Sequence, residues 1–244
     1  MAPENIVNAM GEYQAMLDAI RDGLINKTKA DIPTDPTERA NHIKGFGYFS
    51  DASMIGICGL DDRAILDDPI QNPDIERLAH ALRTRQTKTL ASGIDVIMAD
   101  LKDSMEAPPT TIDGHTHAIV FLYENPRDLM PNEVGCDWLE DAHAHRACLR
   151  ANETAAVIAN YIRLLGYDAK SHSGAASDVD LNKLALTSGL AWADQGELIA
   201  PYIGKNFGLG VITTTLDLAT DRPLAPRVEQ PWFKTQGPAW WLGK

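Results

Sequence analysis

Residues 150–169 read RANETAAVIANYIRLLGYDA, and their spacing decides the fold class. Taken with the turn before them, Cys148, Ala151, Ala155, Ile158, Ile162 and Leu165 recur at steps of three and four. That is one apolar stripe on a helix predicted from about 137 to 165. Gly166 stops the helix, because glycine readily takes the left-handed conformation that closes one. Tyr167 to His172 then reads as a strand. A long helix with one apolar face running directly into a strand is a layered αβ unit.

Working outward, His117 to Tyr123 (HAIVFLY) is the strongest strand, with β-branched and aromatic residues between the turn pairs Asp113-Gly114 and Asn125-Pro126. Met54 to Leu60 is a short apolar run between Asp51 and Asp61, and Leu209 to Leu216 reads as a further strand. Asp35-Pro36 is an N-cap with proline at the first helical position, opening a helix to about Phe49. Residues 4–25 form an amphipathic helix whose stripe is Ile6, Met10, Tyr13, Leu17, Ile20 and Leu24. Residues 61–72 are acidic and turn-rich, and further helices are predicted near 74–85, 90–104 and 178–190. The expected architecture is α+β, in α/β layers, with a mixed sheet flanked by helices. Residues 1–226 read as a single domain, of which 1–34 are an N-terminal helix and linker. Residues 227–244, with Pro231, Pro238, Trp232, Trp240 and Trp241, read as an extended arm.

The 244 residues carry 22 Lys and Arg against 34 Asp and Glu, a net charge of −12. Nucleic acids and anionic membranes are bound by clustered cations, so neither is the expected partner. Three scattered cysteines, Cys58, Cys136 and Cys148, cannot hold an iron–sulfur cluster, which takes four thiolates. An odd, sparse count also fits a reducing compartment better than a disulfide framework. The first residues show no basic-then-apolar leader, and no apolar run reaches the length of a membrane span. A cytoplasmic location is expected.

Seven histidines invite a metal reading. His115 and His117, two apart at a strand start, would point to one sheet face, and His145 shares a helix face with Asp141. The competing reading leaves all three histidines with ordinary structural or solvated roles. Nucleophilic chemistry has less support: there is no GxSxG elbow, and Cys58 and Cys148 sit in apolar contexts that suit buried structural thiols. Gly204 to Gly210 precedes a strand, the reverse of the order a phosphate-binding loop requires.

Three segments together resemble the corrinoid-binding core of reductive dehalogenases, the cobalamin and iron–sulfur enzymes that remove halide from organohalides. Ile43-Lys44-Gly45-Phe46-Gly47-Tyr48-Phe49 leads to Met54-Ile55-Gly56-Ile57-Cys58, similar to the family's helix and following strand. Residues 150–169 resemble its IAxYIRxLGYxA helix and strand. Leu186 to Leu190, Gly196 to Pro201, Gly210 to Thr214 and Asp221-Arg222-Pro223-Leu224 are similar to its glycine-rich and TDLPL-like segment. The resemblance covers about residues 40 to 226 and implies the α+β fold shared with nitroreductase-like cobalamin-processing proteins.

The departures bear on function. Where the family has GLGELGR, this chain reads Gly189-Leu190-Ala191-Trp192-Ala193-Asp194, so added Cβ atoms and an indole stand where a backbone would approach a flat macrocycle. The family's basic RVR reads Asn206-Phe207-Gly208, leaving Lys205 as the nearby cation. The ferredoxin-like cysteines that follow the family's core have no counterpart after Pro226. What the resemblance implies is a degenerate N-terminal copy of the core, a non-catalytic or accessory module holding no cofactor in isolation. Its implied partner is a catalytic corrinoid and iron–sulfur half or subunit, and homodimer formation is a further option. The alternatives are a standalone corrinoid or flavin (FMN) binder with Ser188, Gly189, Tyr202 and Lys205 near its pocket, and a metal site at His115, His117 and His145.

Overall fold

The strand β3 (His117–Glu124) is buried on both faces, as its uninterrupted apolar run requires. It pairs with β1 (Met54–Gly59) on one side and β8 (Phe207–Thr214) on the other, and β8 pairs with β4 (Ala169–His172). The sheet order is therefore β1-β3-β8-β4, with Ile119 opposite both Ile57 and Ile212. The computed structural model describes residues 5–77, 80, 110–126, 130 and 132–224. Within these the fold is α+β, and every ladder of this sheet is antiparallel rather than the mixed arrangement that alternating elements imply. Long excursions join the paired strands, and their length leaves strand direction free.

The 23-residue helix α3 (Ala142–Leu164) lies across β8 at backbone contact. A Cβ at Gly208 would sit 2.4 Å from the Cys148 nitrogen, and one at Gly210 would sit 2.3 Å from the Ala151 oxygen. Only glycine permits that approach. The helix side matches it with Ala147, Ala151, Ala155 and Ala159 in one row, while Ile158 and Ile162 share one buried cluster with Ile57, Ile119, Phe121 and Ile212. The helix α2 (Pro36–Phe49) adds Ala40 and Ile43 to this layer, and the Asp35 carboxylate caps it by accepting from the Thr37 amide at 2.9 Å. Gly166 takes φ +88° after α3, its missing side chain making room for the backbone of Thr28 and Lys29.

The opposite face of the sheet meets a lighter layer. Cys58, Ala118, Val120, Leu122 and Val211 pack on Leu184 and Ala185 of α4 (Leu181–Thr187), with Leu190, Ala191 and Ala200. The helix expected over 178–190 is shorter because Ser177–Val179 form β5, pairing with β2 (Ile65–Ile70). A small hairpin, β6 (Trp192–Asp194) with β7 (Glu197–Ile199), completes this layer. Neither the acidic, proline-bearing β2 nor the three-residue strands carry an alternation that sequence could show.

Both sheet edges are closed by the chain itself. The Asp221 amide donates to the Ile57 carbonyl at 2.7 Å, and the Asp221 carboxylate accepts from the Ile57 amide at 2.8 Å and from Lys44 at 2.6 Å. At the β4 edge the Ser171 amide donates to the Arg21 carbonyl at 2.9 Å. Free edges of this kind otherwise template foreign strands.

The helix α1 (Val7–Ala19) corrects one expectation. An apolar stripe ordinarily faces the core, yet here Val7, Ala15, Asp18 and Ala19 are buried while Ile6, Tyr13 and Ile20 are exposed. The helices expected near 74–85 and 90–104 fall largely outside the described residues, although 74–77 are helical, and the arm at 227–244 lies wholly outside them.

The α3–β8 contact makes two glycine substitutions behave oppositely. Gly210→Ala is expected to destabilise the domain by about 2–3 kcal/mol through backbone overlap. Gly45→Ala, in open space on α2, is expected to stabilise it by about 0.5–1 kcal/mol through helix propensity. Urea unfolding of the two variants checks both signs.

Candidate functional site

The buried face of α1 carries a carboxylate, and the surroundings are arranged to hold it. Asp18 is 3% exposed and accepts hydrogen bonds from Gln14 (2.9 Å), Asn72 (2.8 Å), Asn152 (3.0 Å) and Ser173 (2.8 Å). Burial raises its pKa above the ordinary carboxylate value, and the four donors oppose but do not cancel that shift. One turn on, Arg21 pairs with Asp178 at 3.1 Å. Lys170 is 1% exposed, and its ammonium meets Asp178 at 2.7 Å and the Thr110 carbonyl at 2.6 Å. A cation at that depth must be paired. Burial alone would raise Asp178, but Lys170 and Arg21 hold its carboxyl below the usual range.

From Asp178 a directed chain of hydrogen bonds crosses β4 and β8. The Asp178 amide donates to His172 Nδ1 at 3.2 Å, which leaves the ring proton on Nε2. His172 Nε2 then donates to Thr213 Oγ1 at 2.8 Å, freeing that hydroxyl to donate to His115 Nδ1 at 2.7 Å. His115 therefore also carries its proton on Nε2, which faces Asp168 at 3.4 Å. Burial, with Arg21 and Lys170 adding to it against Asp178, pushes the His172 pKa down to about 3. Burial also lowers His115, against the pull of Asp168. Both rings are neutral and structural near neutral pH. The cluster was not legible as a site in the sequence, since its members lie as far apart as Asp18 and Asp178.

The three histidines proposed as metal ligands are not brought together. His115 turns toward Thr213, whereas His117 lies beside Thr214 in the register and faces Asp217 at 3.9 Å. His145 stands on α3, bonded to the Asp141 carbonyl at 3.0 Å. Among the described residues no group of three or more His, Cys, Asp or Glu side chains is placed to hold a metal. Cys58 is buried as expected, and burial raises its thiol pKa, but Cys148 is exposed.

Cys148 marks the seam between two clefts. One, of about 290 Å³, runs from Met10 and Gln14 to His145 and Ser173. The other, of about 600 Å³, lies between Leu66, Val179 and Leu181 on one side and Leu198, Lys205 and Phe207 on the other. Lys205 lines the larger cleft, ion-paired with Glu197, which raises its pKa. Ser188, Gly189 and Tyr202 are not part of that lining. Ser188 is buried with its hydroxyl donating to the Ala185 carbonyl, and Tyr202 is fully exposed at φ +67°. Gly189, at φ +74°, has the Arg222 carbonyl 2.3 Å from where a Cβ would stand, so the chain's own backbone occupies the space beside it. Of these four residues, Lys205 alone lines that cleft.

No family model and no curated protein matches this sequence. Solved structures do. The catabolic reductive dehalogenase NpRdhA is similar over 93% of this chain at 31% identity with a TM-score of 0.70. Its complex with 3-bromo-4-hydroxybenzoic acid gives the same identity and TM-score over 95%. A reductive dehalogenase whose structure suggests a mechanism for B12-dependent dehalogenation matches over 94%. The chain spans 27%, 27% and 26% of those proteins. An epoxyqueuosine reductase from Bacillus subtilis overlaps with a TM-score of 0.44 at 13% identity, too distant to carry an argument.

The buried imidazoles give the domain an acid sensitivity of known sign. Their folded pKa values lie below the unfolded value, so their contribution is fully present above about pH 6.5 and is lost as pH falls toward about 3. Asp18, shifted upward, works in the opposite direction. The unfolding free energy is expected to fall by about 1 kcal/mol per pH unit between pH 6 and 4, with a shallower slope in His172→Gln. Urea midpoints across that range measure it.

Proposed function

Because this chain is a reductive-dehalogenase-like domain, we propose that it is a non-catalytic module of a corrinoid and iron–sulfur organohalide-reducing system. It serves as a scaffold for the part that carries the cofactors. The observation that carries this reading is at Gly189. A corrin bound against that glycine needs its bare backbone face, and here the Arg222 carbonyl fills it. The segment is anchored close by, since Asp221 is bonded to both backbone groups of Ile57.

Three further features support it. Ala191, standing where the family has glycine, is buried in the layer around Leu184 and Ala185, so its Cβ is committed to packing. Lys205 is neutralised by Glu197 and is not a free cation for an anionic substrate. The chain's three cysteines, one buried and two dispersed, are too few for a cluster. Reductive chemistry therefore belongs, on this reading, to polypeptide of the kind that makes up the remaining length of the relatives.

The test is a titration with hydroxocobalamin. The expected result is a visible spectrum identical to that of free cobalamin and complete separation of protein and pigment on gel filtration. A shifted spectrum on a pigment that travels with the protein would overturn the proposal and favour the corrinoid-carrier reading.

A further inference from the structure

The helix α1 leaves part of its apolar stripe exposed. At about 100° per residue, Ile6, Met10, Tyr13, Leu17 and Ile20 share one face, of which Ile6, Tyr13 and Ile20 are exposed and Met10 and Leu17 half-buried, while the buried Val7, Ala15, Asp18 and Ala19 lie off it. Tyr13 is 64% exposed, and Leu24, just past the helix, is 97% exposed. The face turned inward instead carries Asp18, which needs four donors to be tolerated there. A helix that leaves Ile6, Tyr13 and Ile20 exposed while it buries a carboxylate is shaped for a contact beyond the domain.

The surface continues past the helix. The Ile6 amide donates to the Trp138 carbonyl at 3.1 Å, and the Asn5 side chain donates to the Glu140 carbonyl at 3.2 Å. These bonds hold the exposed Trp138 and Leu139 beside the start of the stripe. We infer that this surface, from Trp138 along α1 to Ile20, docks the corrinoid and iron–sulfur part of the system. The inference rests on the scaffold reading above.

Three observations select that occupant. The relatives that match 93% of this chain are so much longer that it spans 27% of them, so in those proteins this domain lives beside a far larger body of polypeptide. The stripe from Ile6 to Ile20 is about 21 Å long. A second copy docked on so narrow a face would fall short of the roughly 800 Å² per partner of a standard interface, whereas a larger body can wrap the stripe and its flanks. A lipid surface is disfavoured because α1 contains no Lys or Arg to form a cationic rim, and the chain's net charge is −12.

The experiment is photo-cross-linking from Tyr13→p-benzoylphenylalanine, with Tyr202→p-benzoylphenylalanine as a second exposed site, in the organism that encodes the chain. Cross-linked peptides are identified by mass spectrometry. The expected product at Tyr13 is a peptide from polypeptide bearing a corrinoid core and iron–sulfur cysteines, whether separately encoded or continuous with this chain. Its yield should exceed that at Tyr202 by about tenfold and fall by a similar factor in an added Ile20→Asp background. Cross-links to that polypeptide from Tyr202 but not Tyr13 would overturn the assigned surface and leave the scaffold reading standing. Failure at both sites would remove both. Cross-links from Tyr13 confined to residues 1–244 of this chain, a second copy or an unrelated protein would also overturn the docking assignment.

Discussion

The backbone of α3 rests on the backbone of β8, and the rest of the domain is built around that approach. Gly208 and Gly210 remove the side chains that would hold the two apart, and the alanine row from Ala147 to Ala159 removes them from the helix. The helix can then cover the centre of the sheet, with Ile158 and Ile162 in the same buried cluster as Ile57, Ile119 and Ile212. Close packing of this kind loses dispersion contacts steeply with separation, so the contact is sensitive to a single added methyl group. It also fixes where β4 leaves the helix, and so where Lys170 and His172 enter the interior.

Once the centre is set, the sheet has two edges to satisfy, and the chain uses different chemistry at each. At β1 a single residue, Asp221, supplies both an amide and a carboxylate to Ile57. That brings Arg222 against Gly189, whose missing side chain leaves room for the Arg222 carbonyl. At β4 the carbonyl of Arg21 meets Ser171, and the charged side chains that follow are drawn into a closed network with Asp178 and Lys170. Such networks are strongly destabilised by losing one partner and add little when complete. The polar cluster is best understood as the seal of an edge, and the same seal fixes the inward face of α1 and leaves Ile6, Tyr13 and Ile20 exposed.

The sequence was most informative where one periodicity dominated. The helix that became α3, the Asp35-capped α2 and the apolar β3 were legible because stripe, cap and uninterrupted run each have one structural solution. The resemblance carried by residues 43–58, 150–169 and 186–224 pointed to reductive dehalogenases, and NpRdhA is similar over 93% of this chain at 31% identity with a TM-score of 0.70. What was not legible depends on distant partners. The orientation of α1 turns on Asn72, Asn152 and Ser173 meeting Asp18, and no local pattern encodes that meeting. The hairpin β6–β7 and the strand β5 are too short to show alternation. His115 and His117, two apart, point apart because the chain turns at Asp113-Gly114 and becomes a regular strand only from His117.

In the proposed scaffold the segment around Asp221 is a permanent part of the fold, holding the place beside Gly189 whether or not a corrinoid is present. Hydrogen exchange at the Ile57 and Asp221 amides reads this directly, since each donates into that contact. Both amides are expected to exchange slowly, each at the same rate with and without excess hydroxocobalamin. Faster exchange at these two amides on adding the corrinoid would show that the segment yields its place to a cofactor, and would contradict the scaffold reading.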